Sequence, residues 1–200
     1  MCGRRRIFLI SNGQKMQVSA LSCCYSSDLQ TVDAFTWLNT HTREKPAPTK
    51  RELPAFLPHG VFRQRGRFGL VQLSGWVQID VDAKQNEHVP AHLWAELAAY
   101  FAHEGSPVTL AQISASGAGF FGLVRVDVAR IKKNTPAQII AYPSIAGAAL
   151  AYADEQLKTF AWLHELAPFK IDTTPSNSLP GLRFPGVGKI YLNPDVRPLP

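Results

Sequence analysis

Cysteine is scarce in this 200-residue chain: Cys2, Cys23 and Cys24 are all it has. Cys23 and Cys24 are sequence neighbours, poorly placed to bridge one another, so a disulfide framework is excluded as the basis of the fold. No Cys-x-x-Cys pair occurs, which removes the usual structural zinc spacing. Long apolar runs are missing too. The longest fall short of the roughly 20 residues that a membrane-spanning helix needs. Charged residues are sparse at 18%, yet 46% are hydrophobic, enough for a packed core rather than a disordered tail. These absences point to a reducing, cytoplasmic setting with no membrane partner.

What charge there is has an uneven distribution. The net charge is +6, compatible with a polyanionic partner. Residues 1–15 hold Arg4, Arg5, Arg6 and Lys15 and no acid. Without them, 17 basic side chains face 15 acidic ones, a net of only +2. The basic opening imitates a signal peptide, but its apolar stretch, Ile7 to Ile10, is shorter than the roughly 7–15 residues of an h-region. We therefore expect residues 1–15 to be a disordered basic leader and residues 16–200 to form one domain. Met16 is a candidate alternative start.

Hydrophobic spacing predicts a mixed α+β order. A strand begins at Met16. A short helix is expected from Thr31 to Leu38 with Thr31 as its cap. Pro46, Pro48 and Pro54, interspersed with basic residues, mark an exposed loop. Phe68 to Val81 is the densest strand signal, and its break at Ser74-Gly75 suggests a hairpin. A helix is expected over Pro90–His103 on the stripe Leu93, Leu97 and Tyr100 or Phe101. Strands follow near Thr109–Ser114 and Phe120–Val128, then a long helix over Ser144–Leu166. Short strands near Phe169–Asp172 and Lys189–Leu192 close the order.

Trp76-Val-Gln-Ile-Asp-Val-Asp82 carries the first chemical signal. Alternate side chains of a strand share a face, so Val77, Ile79 and Val81 point to a core while Gln78, Asp80 and Asp82 point away from it. Two carboxylates spaced this way can converge on a hard cation such as Mg²⁺ or Mn²⁺. The simpler alternative is a solvated strand face with Asp82 opening a turn. Ser114-Ala-Ser-Gly-Ala-Gly119 is a small-residue loop between two strands, able to offer backbone N–H groups to phosphate or to be a plain glycine turn. It lacks the Lys-Ser/Thr of a P-loop. Phe169-Lys-Ile-Asp172 ends in a carboxylate that could equally cap a turn with Thr173 and Thr174. The six histidines show no convincing ligand spacing.

Taken in order, Leu53-Pro-Ala-Phe, Ser74-Gly-Trp-Val-Gln-Ile-Asp-Val-Asp82, Ser114-Ala-Ser-Gly-Ala-Gly119, Phe169-Lys-Ile-Asp172, Arg183-Phe184 and Tyr191-Leu-Asn-Pro194 resemble the VirE N-terminal-like family of bacterial mobile elements and phages. That family is similar to the archaeo-eukaryotic primase (primase–polymerase) superfamily. The resemblance implies an α+β, primase-like core, with an RRM-like, mainly antiparallel sheet that carries the site on one open face. It implies nucleotidyl transfer with Asp80, Asp82 and Asp172 as catalytic metal ligands, and Mg²⁺ or Mn²⁺ as cofactor. Ser114, Ser116, Gly117, Gly119 and Arg183 would bind nucleotide, with Lys189 as a further counter-charge. The implied partners are a single-stranded nucleic-acid template, nucleoside triphosphates and a replicative helicase. Arg63, Arg65, Arg67, Arg130, Lys132 and Lys133 are candidate template contacts, and surface charge is their simpler explanation. Two departures stand out. Phe121 occupies the position where catalytic primases usually carry His, and Gly181 sits where the family often has an additional Arg. They open an alternative, a catalytically degenerate domain that binds nucleic acid or nucleotide and docks on a helicase.

Overall fold

A computed structural model describes residues 16–23, 25–47, 49–50 and 52–200. The expected leader, residues 1–15, lies outside the described residues. The chain builds β1 (Gln17–Leu21), β2 (Gln30–Asp33), α1 (Ala34–His41), β3 (Ala55–Leu57), β4 (Gly60–Phe62), β5 (Leu70–Leu73) and β6 (Trp76–Asp82). It continues with α2 (Leu93–Phe101), β7 (Val108–Ile113), β8 (Gly119–Arg125), α3 (Thr135–Leu163), α4 (Thr173–Asn177) and β9 (Val187–Leu192). The class is α+β, with mainly antiparallel sheets and packed helices, as expected.

The largest sheet runs in the order β6-β8-β7-β9 and is antiparallel throughout. Val77, Ile79 and Val81 of β6 point to one face, with Phe120 and Val124 of β8, and α2 and α3 cover them. The approach is close. At Gly122 a Cβ would come within 2.9 Å of the Phe101 ring of α2, so only glycine fits there. The stripe of α2 is as expected: Leu93, Leu97 and Phe101 are buried. On α3 small residues, Ala146, Ala149 and Ala153, face the sheet and let the helix lie near it.

The opposite sheet face is not open. Trp76, Leu110, Phe121 and Leu123 are buried there against Val18, Ala20, Trp37, Leu38 and Phe56. These come from α1 and from a second antiparallel sheet ordered β2-β1-β3. The central sheet is therefore sandwiched, which corrects the open face that the resemblance implied.

Four local expectations change. Thr31 does not cap α1. Residues 30–33 pair with β1, and Asp33, whose carboxylate accepts the Thr36 N–H at 2.9 Å, is the cap. Phe68–Val81 is not one hairpin: β5 pairs with β4 and β6 with β8. At Gly75, with φ +78°, the chain passes from one sheet to the other. The long helix starts at Thr135 rather than Ser144, because Pro143 sits inside it instead of opening it. Phe169–Asp172 is no full strand. Only Asp172 bridges to β6, opposite Asp80. Among the described residues, no helix is long and apolar enough to cross a membrane.

Candidate functional site

The C-terminal half of β6 gathers the residues that the sequence singled out. Asp80 lies opposite Phe121 of β8 on one side and opposite Asp172 on the other. The Asp172 N–H donates to the Asp80 carbonyl at 2.9 Å. Directly opposed residues of an antiparallel pair share a face, their Cβ atoms about 4.5–5.5 Å apart. Asp82 lies opposite Gly119, the last residue of the small-residue loop. Gly119 has φ +99°, and a Cβ there would collide with the Val81 carbonyl, so glycine is required for the loop to turn into β8.

Arg183 completes the group from a distance of 103 residues in sequence. Its backbone is fixed to β3 by two reciprocal hydrogen bonds: Phe56 N–H to the Arg183 carbonyl at 2.9 Å and Arg183 N–H to the Phe56 carbonyl at 2.8 Å. Its guanidinium donates to both oxygens of Asp80, Nη1 to Oδ1 at 2.9 Å and Nη2 to Oδ2 at 2.8 Å. Its Cζ sits 4.8 Å from the centre of the Phe121 ring, a cation–π arrangement. The two side chains are 7% and 16% exposed. This is a bidentate, nearly dry ion pair, the strong form of the carboxylate–guanidinium contact.

The other two carboxylates are also engaged. Asp82 accepts the Lys84 N–H at 3.0 Å and caps a 3₁₀ turn over Ala83–Gln85. Asp172 accepts the Thr174 N–H at 2.9 Å and caps α4. Among the described residues, no group of three or more His, Cys, Asp or Glu is placed to hold a metal ion. The donor set does not suit a divalent cation as arranged: Asp80 has both oxygens on Arg183, and Asp82 and Asp172 each spend one on a cap.

The Ser114–Gly119 loop is likewise satisfied from within. Ser114 and Ser116 hydroxyls lie 3.0 Å apart, and Ser114 Oγ donates to the Ala118 carbonyl at 2.9 Å. The loop is backed by the proline-rich segment, where the Ala47 N–H donates to the Ala115 carbonyl at 2.9 Å. Ser116 remains exposed at the surface. Lys189 is exposed on β9, its Nζ 4.9 Å from the Tyr191 ring.

Beneath the pair lies a layer that sequence reasoning missed. His59 is fully buried. Its Nδ1 lies 2.9 Å from the Leu179 carbonyl, and its Nε2 receives the Gln78 N–H at 3.3 Å. One nitrogen donates and the other accepts, so the ring is the neutral Nδ1–H tautomer. Burial drives its pKa down to about 4. Ser176 Oγ donates to the Gln78 carbonyl at 2.6 Å, and the Tyr142 hydroxyl donates to the Ser176 carbonyl at 2.7 Å. Burial pushes the Tyr142 pKa upward, keeping that donor protonated. Together they fasten α4 and the Leu179 turn to β6 and so aim Arg183. The Gln78 side-chain amide and Arg183 Nε have no partner among the described residues. A lone His with no ligand-like spacing gave no signal of this role.

The family model for the BT4734-like N-terminal domain matches residues 48–178, well over half of the chain. The chain belongs to the BT4734-like N-terminal domain family. The family match spans Asp80, Asp82, the Ser114–Gly119 loop and Asp172, and stops five residues before Arg183. No curated protein and no solved structure matches the chain.

Proposed function

We propose that this member of the BT4734-like family is a primase–polymerase-like domain of the VirE N-terminal type. It serves replication of a mobile element or phage by binding nucleic acid or a nucleotide without turnover. The Arg183–Asp80 pair carries this reading. A carboxylate that works on a reacting phosphate needs an oxygen to offer, and both of Asp80's oxygens are committed to the guanidinium. Phe121, standing where catalytic primases carry His, lies against the same guanidinium and cannot hold a triphosphate. The partners in this reading are a single-stranded template and a separately encoded replicative helicase.

Nucleotidyl transfer is the second reading, and the backbone bridge between Asp80 and Asp172 favours it, since it sets two of the three acids side by side. In that form a 3′-hydroxyl attacks the α-phosphate of a nucleoside triphosphate and pyrophosphate leaves. Asp80, Asp82 and Asp172 are then its acidic residues, and Mg²⁺ or Mn²⁺ its cofactor. A primer-synthesis and extension assay with either metal, run beside an Asp82→Asn/Asp172→Asn variant that keeps both caps and is checked for folding by a thermal melt, separates the two. Template or nucleotide binding with no product supports the binding domain. Metal-dependent product that the variant loses overturns it in favour of the enzyme.

A further inference from the structure

Six cations that look like ordinary surface charge in sequence are brought to one edge by the fold. Arg63, Arg65 and Arg67 lie on the loop between β4 and β5, and Arg130, Lys132 and Lys133 on the segment entering α3; all six are exposed. The two stretches meet. The Thr135 hydroxyl of α3 donates to the Leu70 carbonyl at 3.0 Å, and the Leu73 N–H donates to Gln138 Oε1 at 2.8 Å. Val128 and Ile131 pack on the core that holds Leu70 and Leu73. No acidic residue occurs in 62–71 or in 128–138. The nearest in sequence, Asp127, accepts the Ala129 N–H at 2.8 Å. The N-terminus of α3, a helix of 29 residues, also ends here and adds the positive end of its dipole.

An aromatic ring stands among these cations. Phe68 is 73% exposed, in a chain that buries most of its other phenylalanines. Arg67 holds its Cζ 4.7 Å from the centre of that ring. Leaving a phenylalanine in water forgoes the stabilisation that burial provides, and the contact with Arg67 returns only a small part of it. Cations that follow a phosphate backbone, with an aromatic face on which a base can stack, are the chemistry of single-strand binding.

We infer that the edge formed by Arg63–Phe68 and Arg130–Lys133 is a binding surface for single-stranded nucleic acid, with Phe68 as its stacking platform. This rests on the nucleic-acid reading above but not on the chemistry of Asp80. The test is fluorescence anisotropy of a labelled oligothymidylate with the full chain over a salt series. Phe68→Ala should weaken binding about tenfold, the loss of one base–aromatic stack. Lys132→Glu/Lys133→Glu should weaken it further and flatten the slope of log affinity against log salt by about 1.4 for the two phosphates no longer contacted. Lys158→Glu, on α3 and paired with Asp154, should leave binding unchanged. All three sites are exposed, and thermal melts check that the variants fold. If the wild type binds the oligonucleotide and the patch variants bind equally well, the surface is wrong while the nucleic-acid reading stands. If the wild type binds phosphatidylserine vesicles but no oligonucleotide, both fall.

Discussion

The acidic end of β6 and the basic edge beside α3 make opposite use of charge. At β6 the carboxylates that look reactive in sequence are engaged by the fold: Asp80 through both oxygens by Arg183, Asp82 and Asp172 through one oxygen each by the turns they cap. At the α3 edge, cations that look like bland solubilising charge stay exposed and gathered. A charge that the fold has spent stabilises; a charge that it leaves exposed can recruit a partner. The difference lies in burial, which makes a charge expensive at the first place unless it is paired and cheap to keep at the second.

The strongest way to break this contrast is Asp80→Ala. It strands the Arg183 guanidinium, only 7% exposed, and should cost about 3–5 kcal/mol in a urea melt. Adding Arg183→Met should recover much of that loss, since an apolar pair of similar volume is tolerated. An unchanged midpoint for Asp80→Ala would show that the pair carries little. Acid comes next. His59 has its folded pKa lowered from 6.5 to about 4. The unfolded chain therefore binds the extra proton first, and stability falls as pH drops through that window. The total is about 3 kcal/mol, present in full above about pH 6.5. His59→Asn should flatten this slope in denaturant melts at pH 4 to 7.

Smaller effects sharpen the same line. Asp172→Ala removes the cap of α4 and should cost about 1 kcal/mol, read from the shift in melting temperature. Lys132→Glu/Lys133→Glu should change stability by no more than about 0.5 kcal/mol, even though it acts on binding. A larger loss of stability there would mean that the basic edge is structural after all.

Much of the fold was legible along the chain. The alternation of Trp76–Asp82 gave β6, and the stripe on Leu93, Leu97 and Tyr100 or Phe101 gave α2, because both depend only on local spacing; that the Trp76 and Gln78 face would be buried under a second core was not readable from it. Where punctuation misled, it did so for a physical reason. Ser74-Gly75 reads as a hairpin turn, and a turn does not reveal which strand the next segment will join. The hydrophobic spacing places the long helix only from Ser144, yet α3 starts at Thr135 and runs through the exposed Pro143. Asp33 outcompeted Thr31 as cap because Thr31 and Val32 are better used in a strand. In the candidate site, the positions of Asp80, Asp82, Gly119 and Asp172 were readable as motifs. Their partners were not. The bond between His59 and Leu179 spans 120 residues and that between Asp80 and Arg183 spans 103, and no local pattern encodes contacts of that reach.

That reach also orders events in time. β6 can pair with β8 as soon as residue 125 is available, but its Asp80 stays without a counter-charge until residue 183 arrives. Closing so long a loop costs more chain entropy than closing a local turn, and that entropy is lost before the contact repays it. Until that loop closes, the Asp80 carboxylate has no Arg183 guanidinium to meet it, so the pair reports on the closure of the whole chain rather than on β6 alone.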